Sequence, residues 1–309
     1  RHTRFKCDWS SDVCSSDLPR PSLTRSSASG RRRAANAVAH LCIVLAFVVT
    51  VIPLALVVGY VVARGMQIMS WSFLSSDIPI VTRAPGDGMG PAVVGTLLIT
   101  GAAMLMAVPL GILGGVYLCE YGGTGPVARS VRFLADVMTG VPSIVMGLFI
   151  YTTWVLTFGV SGFAGALALA CLMLPVIIRT TEEMLRLVPL DPRQSAYALG
   201  GRRAGTILRV VLPAAAPGIV SGVLLAVARA AGETAPLLFT ILTLNTVNRD
   251  LFHGANTTLS VQIFRNAQQV FPGPQARAWG AALTLIGIVF VFTVVARVVS
   301  AVFARRHQP

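Results

Sequence analysis

Apolar residues run through this chain in six long blocks: Val38–Ala63, Ala92–Cys119, Phe133–Phe158, Gly162–Ile178, Gly218–Leu242 and Ala278–Phe303. A helix that crosses a hydrocarbon core of about 30 Å needs about 20 apolar residues. The fourth block is short and the third carries Pro142 near its start; the others meet that length comfortably. Backbone exposed to lipid must satisfy its own hydrogen bonds, which leaves helices as the spanning element here. The pattern predicts an all-α polytopic membrane protein with six transmembrane helices. Its layout is a leader over 1–37, a first span over 38–63, an outer loop over 64–91, a five-span core over 92–303 and a tail over 304–309.

Composition agrees with that class. The 309 residues are 54% hydrophobic and 12% charged, and mean hydropathy is +0.73, values of a membrane chain. The formal net charge is +13, with Lys6 the single lysine among 25 basic residues. The arginines cluster at the ends of apolar blocks, so topology explains the basic balance better than nucleic acid does. Cys7, Cys14, Cys42, Cys119 and Cys171 show no metal spacing and imply no disulfide framework. Three of them lie in or beside apolar blocks, where a free thiol behaves as a small hydrophobe. His40, His253 and His307 are isolated, and no metal site is expected.

The opening RHTRFKCDWSSDVCSSDL is polar and patternless. It resembles a translated cloning or sequencing-adapter segment, and residues 1–37 as a whole read as a disordered or artefactual basic leader. The apolar run that follows is too long for a signal-peptide core and lacks a small-residue cleavage site, so it reads as a retained span.

Arginine placement predicts orientation. With the N-terminus inside, the inner segments hold 13 arginines (31–33, 129, 132, 179, 186, 193, 202, 203, 209, 305 and 306) and the outer loops hold 5 (64, 83, 249, 265 and 277). That bias places both termini on the cytoplasmic side. The outer loops 64–91 and 243–277 are longer than ordinary connections.

The longest inner loop, 179–217, reads RTTEEMLRLVPLDPRQSAYALGGRRAGTILRVVLPAAAP. Asp191-Pro192 predicts a helix start by an N-cap and a proline at the first position, and Gly200-Gly201 its C-cap. Pro213 and Pro217 are expected to break the chain before the fifth span. The order Gln194-Ser195-Ala196, three residues, Gly200, nine residues, Val210, one residue, Leu212-Pro213 resembles the E-A-A loop of ABC-importer permeases. Gln194, Ser195 and Val210 depart from that pattern in residue type; the spacing fits throughout. The resemblance implies coupling helices that dock on an ATP-hydrolysing subunit. The competing reading is an amphipathic loop lying on lipid headgroups. No GxxxxGK[ST] occurs anywhere in the chain, so ATP hydrolysis by that route belongs to another polypeptide and the chain is expected to be a non-catalytic subunit.

The fifth block carries Arg229 and Glu233 in AVARAAGETAPLLFT. Charge at membrane depth is costly and usually faces a bundle interior or a water-filled path. A spacing of four puts both on one face of a helix, near the midplane by count of residues. An arginine fork matches the oxygens of phosphate or carboxylate. Glu233 then balances Arg229 in an empty site and opposes an anion held too tightly. The competing reading is a structural clamp without substrate contact. Gly218, Gly222 and Ala226 form a small-residue stripe suited to close helix packing, and Pro236 weakens the helix past Glu233.

Other candidates weigh less. Pro85–Pro91 (PGDGMGP) reads as a turn leading into a span. Glu182-Glu183 read as dipole partners at an inner helix start, Ser221 as packing, and Asp136 as an interfacial anchor paired with Arg132.

ARAAGETAPLLFT, with LPVIIRTTEEMLRLVP upstream and GPAVVGTLLIT at Gly90–Thr100, resembles the PstA family of phosphate ABC transporter permeases, in order from Val38 to Arg306. The resemblance implies a MetI-like type I importer permease in a bacterial plasma membrane. It implies a second permease (PstC-like), two ATPases (PstB-like) that use ATP, and a periplasmic or lipid-anchored phosphate-binding protein (PstS-like). No cofactor is expected on this chain itself. Arg229 and Glu233 would lie on the substrate path; Gln194, Ser195, Ala196, Gly200, Leu212 and Pro213 would belong to the ATPase-coupling loop. A permease for sulfate or molybdate, or an ATP-independent channel or scaffold, remains the alternative on residue chemistry.

Overall fold

The computed structural model describes residues 30–79 and 88–306, all helix and connections with no strand among them. The leader reading of residues 1–29 and the Pro85–Asp87 part of the glycine-rich turn lie outside the described residues. Residues as far as Val57 form one unit and Val58–Pro309 a second, compact one.

The first helix, α1, runs Gly30–Gly65. It therefore starts inside the stretch read as leader, because Arg31–Asn36 contains no helix breaker. Its apolar residues Leu41, Phe47 and Leu54 are exposed, as expected of a lipid-facing surface. In the compact unit, the last turns of α1 are followed by α2 (Trp71–Ser75) and α3 (Gly90–Val116), which ends in a π-helical turn at Tyr117–Gly122. Ser70 caps α2 by accepting from the Phe73 amide at 2.9 Å.

The third apolar block is not one helix. α4 (Pro126–Gly140) and α5 (Ser143–Ile150) meet at a break where the chain turns by 107°. The reason is local. Proline at 142 pushes the residue before it out of the helical region, and Val141 takes φ −71° and ψ 128°. After α5 the chain continues through a π-helical turn to α6 (Leu156–Phe158). Among the described residues five helices are long and apolar enough to cross a membrane, and the bent pair makes a sixth if it counts as one span.

The centre of the compact unit is α7 (Gly162–Arg186), eight residues longer than the apolar block that announced it. Ser161 caps its start by accepting from the Ala164 amide. Its small and branched residues Ala166, Leu169, Met173 and Ile177 are buried against α3. Two short helices follow, α8 (Leu190–Ala198) and α9 (Arg203–Thr206). A π-helical turn at Ile207–Val211 then leads into α10 (Leu212–Gly232).

Pro213 and Pro217 do not break the chain as expected. Pro213 sits in the first positions of α10, where its missing N–H costs little. The small-residue stripe of α10 closes on α7: Gly218 lies against Met184 and Gly222 against Thr180. α10 then ends at Gly232, ten residues short of the predicted span end. Gly232 has low helix propensity and Pro236 cannot donate to its carbonyl, so Glu233 is extended at φ −69° and ψ 132°. A single turn, α11 (Leu237–Thr240), follows. The connection after α11 contains α12 (Leu259–Ala267), capped by Thr258, and α13 (Pro272–Arg306) completes the described chain.

Candidate functional site

The 107° bend, α7 and the end of α10 enclose a cavity of about 210 Å³. Thr139, Pro142 and Ser143 line it from the bend, Met173 and Val176 from α7, and Arg229, Ala230 and Glu233 from the last turn of α10 and beyond. Arg229 and Glu233 are brought together, with Nε 3.6 Å from Oε1. They are not on one helix face: Glu233 lies just past the helix, in extended backbone. Nor is Arg229 buried at mid-helix. It stands in the last turn, and its side chain is 74% exposed against 21% for Glu233. A cation there favours the negative end of the helix dipole.

The Glu233 segment is held from two sides. Ser260 of α12 donates to the Glu233 carbonyl at 3.0 Å. Gly147 of α5 lies so close to Pro236 that a Cβ would come within 2.5 Å of its Cα. The cavity therefore has an arginine donor, a carboxylate acceptor and the Ser143 hydroxyl on an apolar floor. That set can hold a tetrahedral oxyanion and also oppose it.

A second cluster lies along α7 from the cavity; Val176 and Leu185 are nine residues apart, about 13 Å of helix. Here stands α8 with Gln194, Ser195 and Ala196. Gln194 and Ser195 are exposed and Ala196 half-buried. Gly200 takes φ +81°, its amide donates to the Tyr197 carbonyl and the Gly201 amide to that of Ala196. These two bonds close α8 in the Schellman manner. The helix starts at Leu190, one residue before the expected cap Asp191. Leu212 and Pro213 open α10.

Two buried carboxylates that the sequence reading passed over or misplaced organise this end. Glu120, in the π-helical turn after α3, is 8% exposed and pairs with Arg193 of α8. Arg193 also donates to the Leu185 carbonyl at 2.8 Å. Arg203 donates to the Glu120 carbonyl and lies over the Tyr121 ring, 4.7 Å from its centroid. Glu182 is not at a helix start: it lies in the last turns of α7, 1% exposed, with Arg132 at 2.7 Å, Arg186 one turn on and Arg179 one turn back. Asp136 pairs with Arg179 rather than Arg132, because Arg132 is already turned to Glu182 and to the carbonyls of Gly123 and Leu118. One signal was available for Glu120: a lone acid closing an otherwise uncharged span.

The remaining candidates have plain roles. Ser221 donates to the Pro217 carbonyl at 2.9 Å. Among the described residues no group of three or more His, Cys, Asp or Glu forms a metal-binding cluster. In the connection between α11 and α12, Asp250 accepts from the amides of Phe252 and His253 at 2.9 and 3.2 Å. Those two donors, the Phe252 amide first, hold its carboxyl below the usual aspartate range.

Comparison with known proteins places this geometry. Residues 107–308 match the family described as "Binding-protein-dependent transport system inner membrane component". The chain is 43% identical over 282 residues to the phosphate transport system permease protein PstA 1 of Mycobacterium tuberculosis, covering 90% of this chain and 91% of that one. It is 42% identical over 241 residues to the PstA of Yersinia pestis, covering 78% and 81%. Among solved structures, the inward-facing MetNI methionine ABC transporter aligns with TM-score 0.57 at 19% identity, over 69% of this chain and 94% of that one. A bacterial ABC transporter involved in the import of alginate aligns with TM-score 0.60 at 13% identity, over 90% and 100%. Both likenesses concern the fold. The chain belongs to the binding-protein-dependent transport system inner membrane components, within their PstA permease family, and is a multi-pass membrane transport subunit rather than an enzyme.

Proposed function

We propose that this chain is one of two permease subunits of an ATP-driven importer of inorganic phosphate, and that phosphate passes through the cavity between the α4–α5 bend and the end of α10. The observation that carries the reading is the cavity itself, lined by Arg229 and Glu233 in a chain whose relatives are named for phosphate transport. Arg229, exposed on this subunit, meets phosphate where a second, PstC-like permease closes the path. Its guanidinium offers paired donors to the oxyanion. Glu233 compensates Arg229 in the empty site and repels the anion, which keeps binding weak enough for release.

In this reading the chain binds no cofactor of its own. ATP is used by a PstB-like ATPase dimer, and a PstS-like receptor delivers phosphate from outside. The α8 segment faces the cytoplasm, as do both termini, in keeping with the arginine bias. Its exposed Leu190, Tyr197 and Leu199 form the face on which an ATPase docks, with Gln194 and Ser195 beside them. Movement of that face alternates access to the cavity.

The test is uptake of radiolabelled phosphate in a bacterial strain lacking only this subunit, complemented with the wild type or Arg229→Gln, with unlabelled sulfate and molybdate as competitors. Uptake restored by the wild type, abolished in the variant and indifferent to the competitors supports the reading. Competition by sulfate or molybdate changes the substrate. Normal uptake with Arg229→Gln removes Arg229 from the path.

A further inference from the structure

We infer that the Glu120–Arg193 ion pair is the link through which α8 moves the membrane core, which makes Glu120 a positioning residue for transport. The inference rests on the reading of α8 as the ATPase-docking element.

Besides this pair, α8 packs against α9 and the π-helical turn at Ile207–Val211. None of its nine residues is buried. Its exposed apolar side chains point away from the core, and Arg193 and Ala196 are the half-buried ones. Arg193 reaches inward with both terminal nitrogens: one to the Glu120 carboxylate, the other to the Leu185 carbonyl at the end of α7. Arg203, at the start of α9, returns to the same place from the other side of Gly200-Gly201, bonding the Glu120 carbonyl and covering Tyr121. The segment from α8 to α9 is thus fastened at Glu120 by both ends.

Glu120 in turn closes α3, and α3 packs along α7 over most of its length, with Gly111 against Ile177 and Gly115 against Thr181. Val176 and Met173 of α7 line the Arg229 cavity. A push on α8 therefore passes through the Arg193 and Arg203 guanidinia to the end of α3 and, through Arg193, to α7, which walls the path. Slippage at this joint is opposed because it strands a carboxylate that is 8% exposed, and an uncompensated buried charge is costly. A flexible tether offers no such resistance.

The experiment uses the whole complex, purified through a tag on this chain and reconstituted in liposomes with the phosphate receptor. It reads phosphate taken up per ATP hydrolysed. Glu120→Gln is expected to keep assembly and ATP hydrolysis while that ratio falls about tenfold, within the usual range for coupling between sites. The double variant Glu120→Gln/Arg193→Gln should be no worse than either single change, since both remove one link. An unchanged ratio in an assembled Glu120→Gln complex overturns the inference, as do single losses that multiply in the double variant. Should Glu120→Gln fail to assemble, Arg193→Lys against Arg193→Gln decides: lysine keeps the carboxylate paired and should hold the wild-type ratio, glutamine removes the pair and should lower it, and equal ratios in the two overturn the inference. Wild-type chain that purifies without any ATPase refutes the docking reading of α8, and this inference with it.

Discussion

Arg132 of α4 donates from Nε to Glu182 of α7 across 2.7 Å, and its two terminal nitrogens reach the carbonyls of Leu118 and Gly123. One guanidinium thus joins α4, α7 and the turn after α3. Glu182 stands near the C-terminal end of α7, where the helix dipole disfavours a negative charge; three arginines offset that cost.

Glu182→Gln should therefore destabilise the chain by about 3 kcal/mol, the usual cost of breaking a buried ion pair from one side. Glu183, its exposed neighbour, is the control: Glu183→Gln should stay within about 0.5 kcal/mol. Thermal unfolding of the two variants in detergent checks the difference. Equal melting temperatures would mean that the arginines hold the helices without the carboxylate.

The six apolar blocks made the spans legible because burial in lipid demands long uniform runs. What the runs could not carry was the breaks inside them. Gly140-Val141-Pro142 is a strong local signal, yet a window that averages hydropathy reads through it, and the bend it makes is what opens the cavity beside Arg229. The same averaging extended the fifth span to Leu242, although Gly232 and Pro236 stop the helix. Charge pairing was legible only where the partner is near in sequence, as for Arg229 and Glu233. Arg132 and Asp136 share a helix face at four residues' spacing, but their partners Glu182 and Arg179 are 50 and 43 residues away, a distance no periodicity reaches. The α8 closure was readable because Gly200 at φ +81° needs no partner beyond its own helix.

Close packing at α3 gives a steric prediction. A Cβ at Gly95 would run into the Thr257 carbonyl, which is backbone and cannot swing aside; at Gly101, on the same helix, nothing lies within 4 Å. Gly95→Ala should cost about 1 to 3 kcal/mol by overpacking. Gly101→Ala should gain about 0.5 to 1 kcal/mol from helix propensity. The two melting temperatures should move in opposite directions; a rise in both would show that α3 can slide away from Thr257.

The connection between α11 and α12 carries a pH dependence. The Asp250 carboxyl is held low chiefly by the amides of Phe252 and His253. A depressed folded-state pKa contributes order above the unfolded value, about 3.9, and that contribution is lost as pH falls through the folded value. Protection of the Phe252 and His253 amides, taken relative to the intrinsic exchange rate at each pH, should therefore be unchanged from pH 8 to pH 5 and fall below about pH 4. Asp250→Ala should remove the protection at every pH. Protection that survives in Asp250→Ala would show that other contacts hold this turn.

Glu233 separates a path residue from a clamp. Its carboxylate is 3.6 Å from Arg229 and both line the cavity. If the pair only braces the chain, Glu233→Gln lowers stability and uptake together and leaves the phosphate dependence alone. If Glu233 opposes the anion, removing its charge leaves Arg229 unbalanced, phosphate is held longer, and turnover falls with half-saturation. Arg229 is largely exposed, so the effect is that of a screened charge, about 1 kcal/mol, or roughly fivefold in half-saturation. Uptake kinetics of Glu233→Gln across a phosphate series, in complexes of equal abundance, should show maximal rate and half-saturation both lowered. An unchanged half-saturation with a lower rate would return the pair to bracing alone.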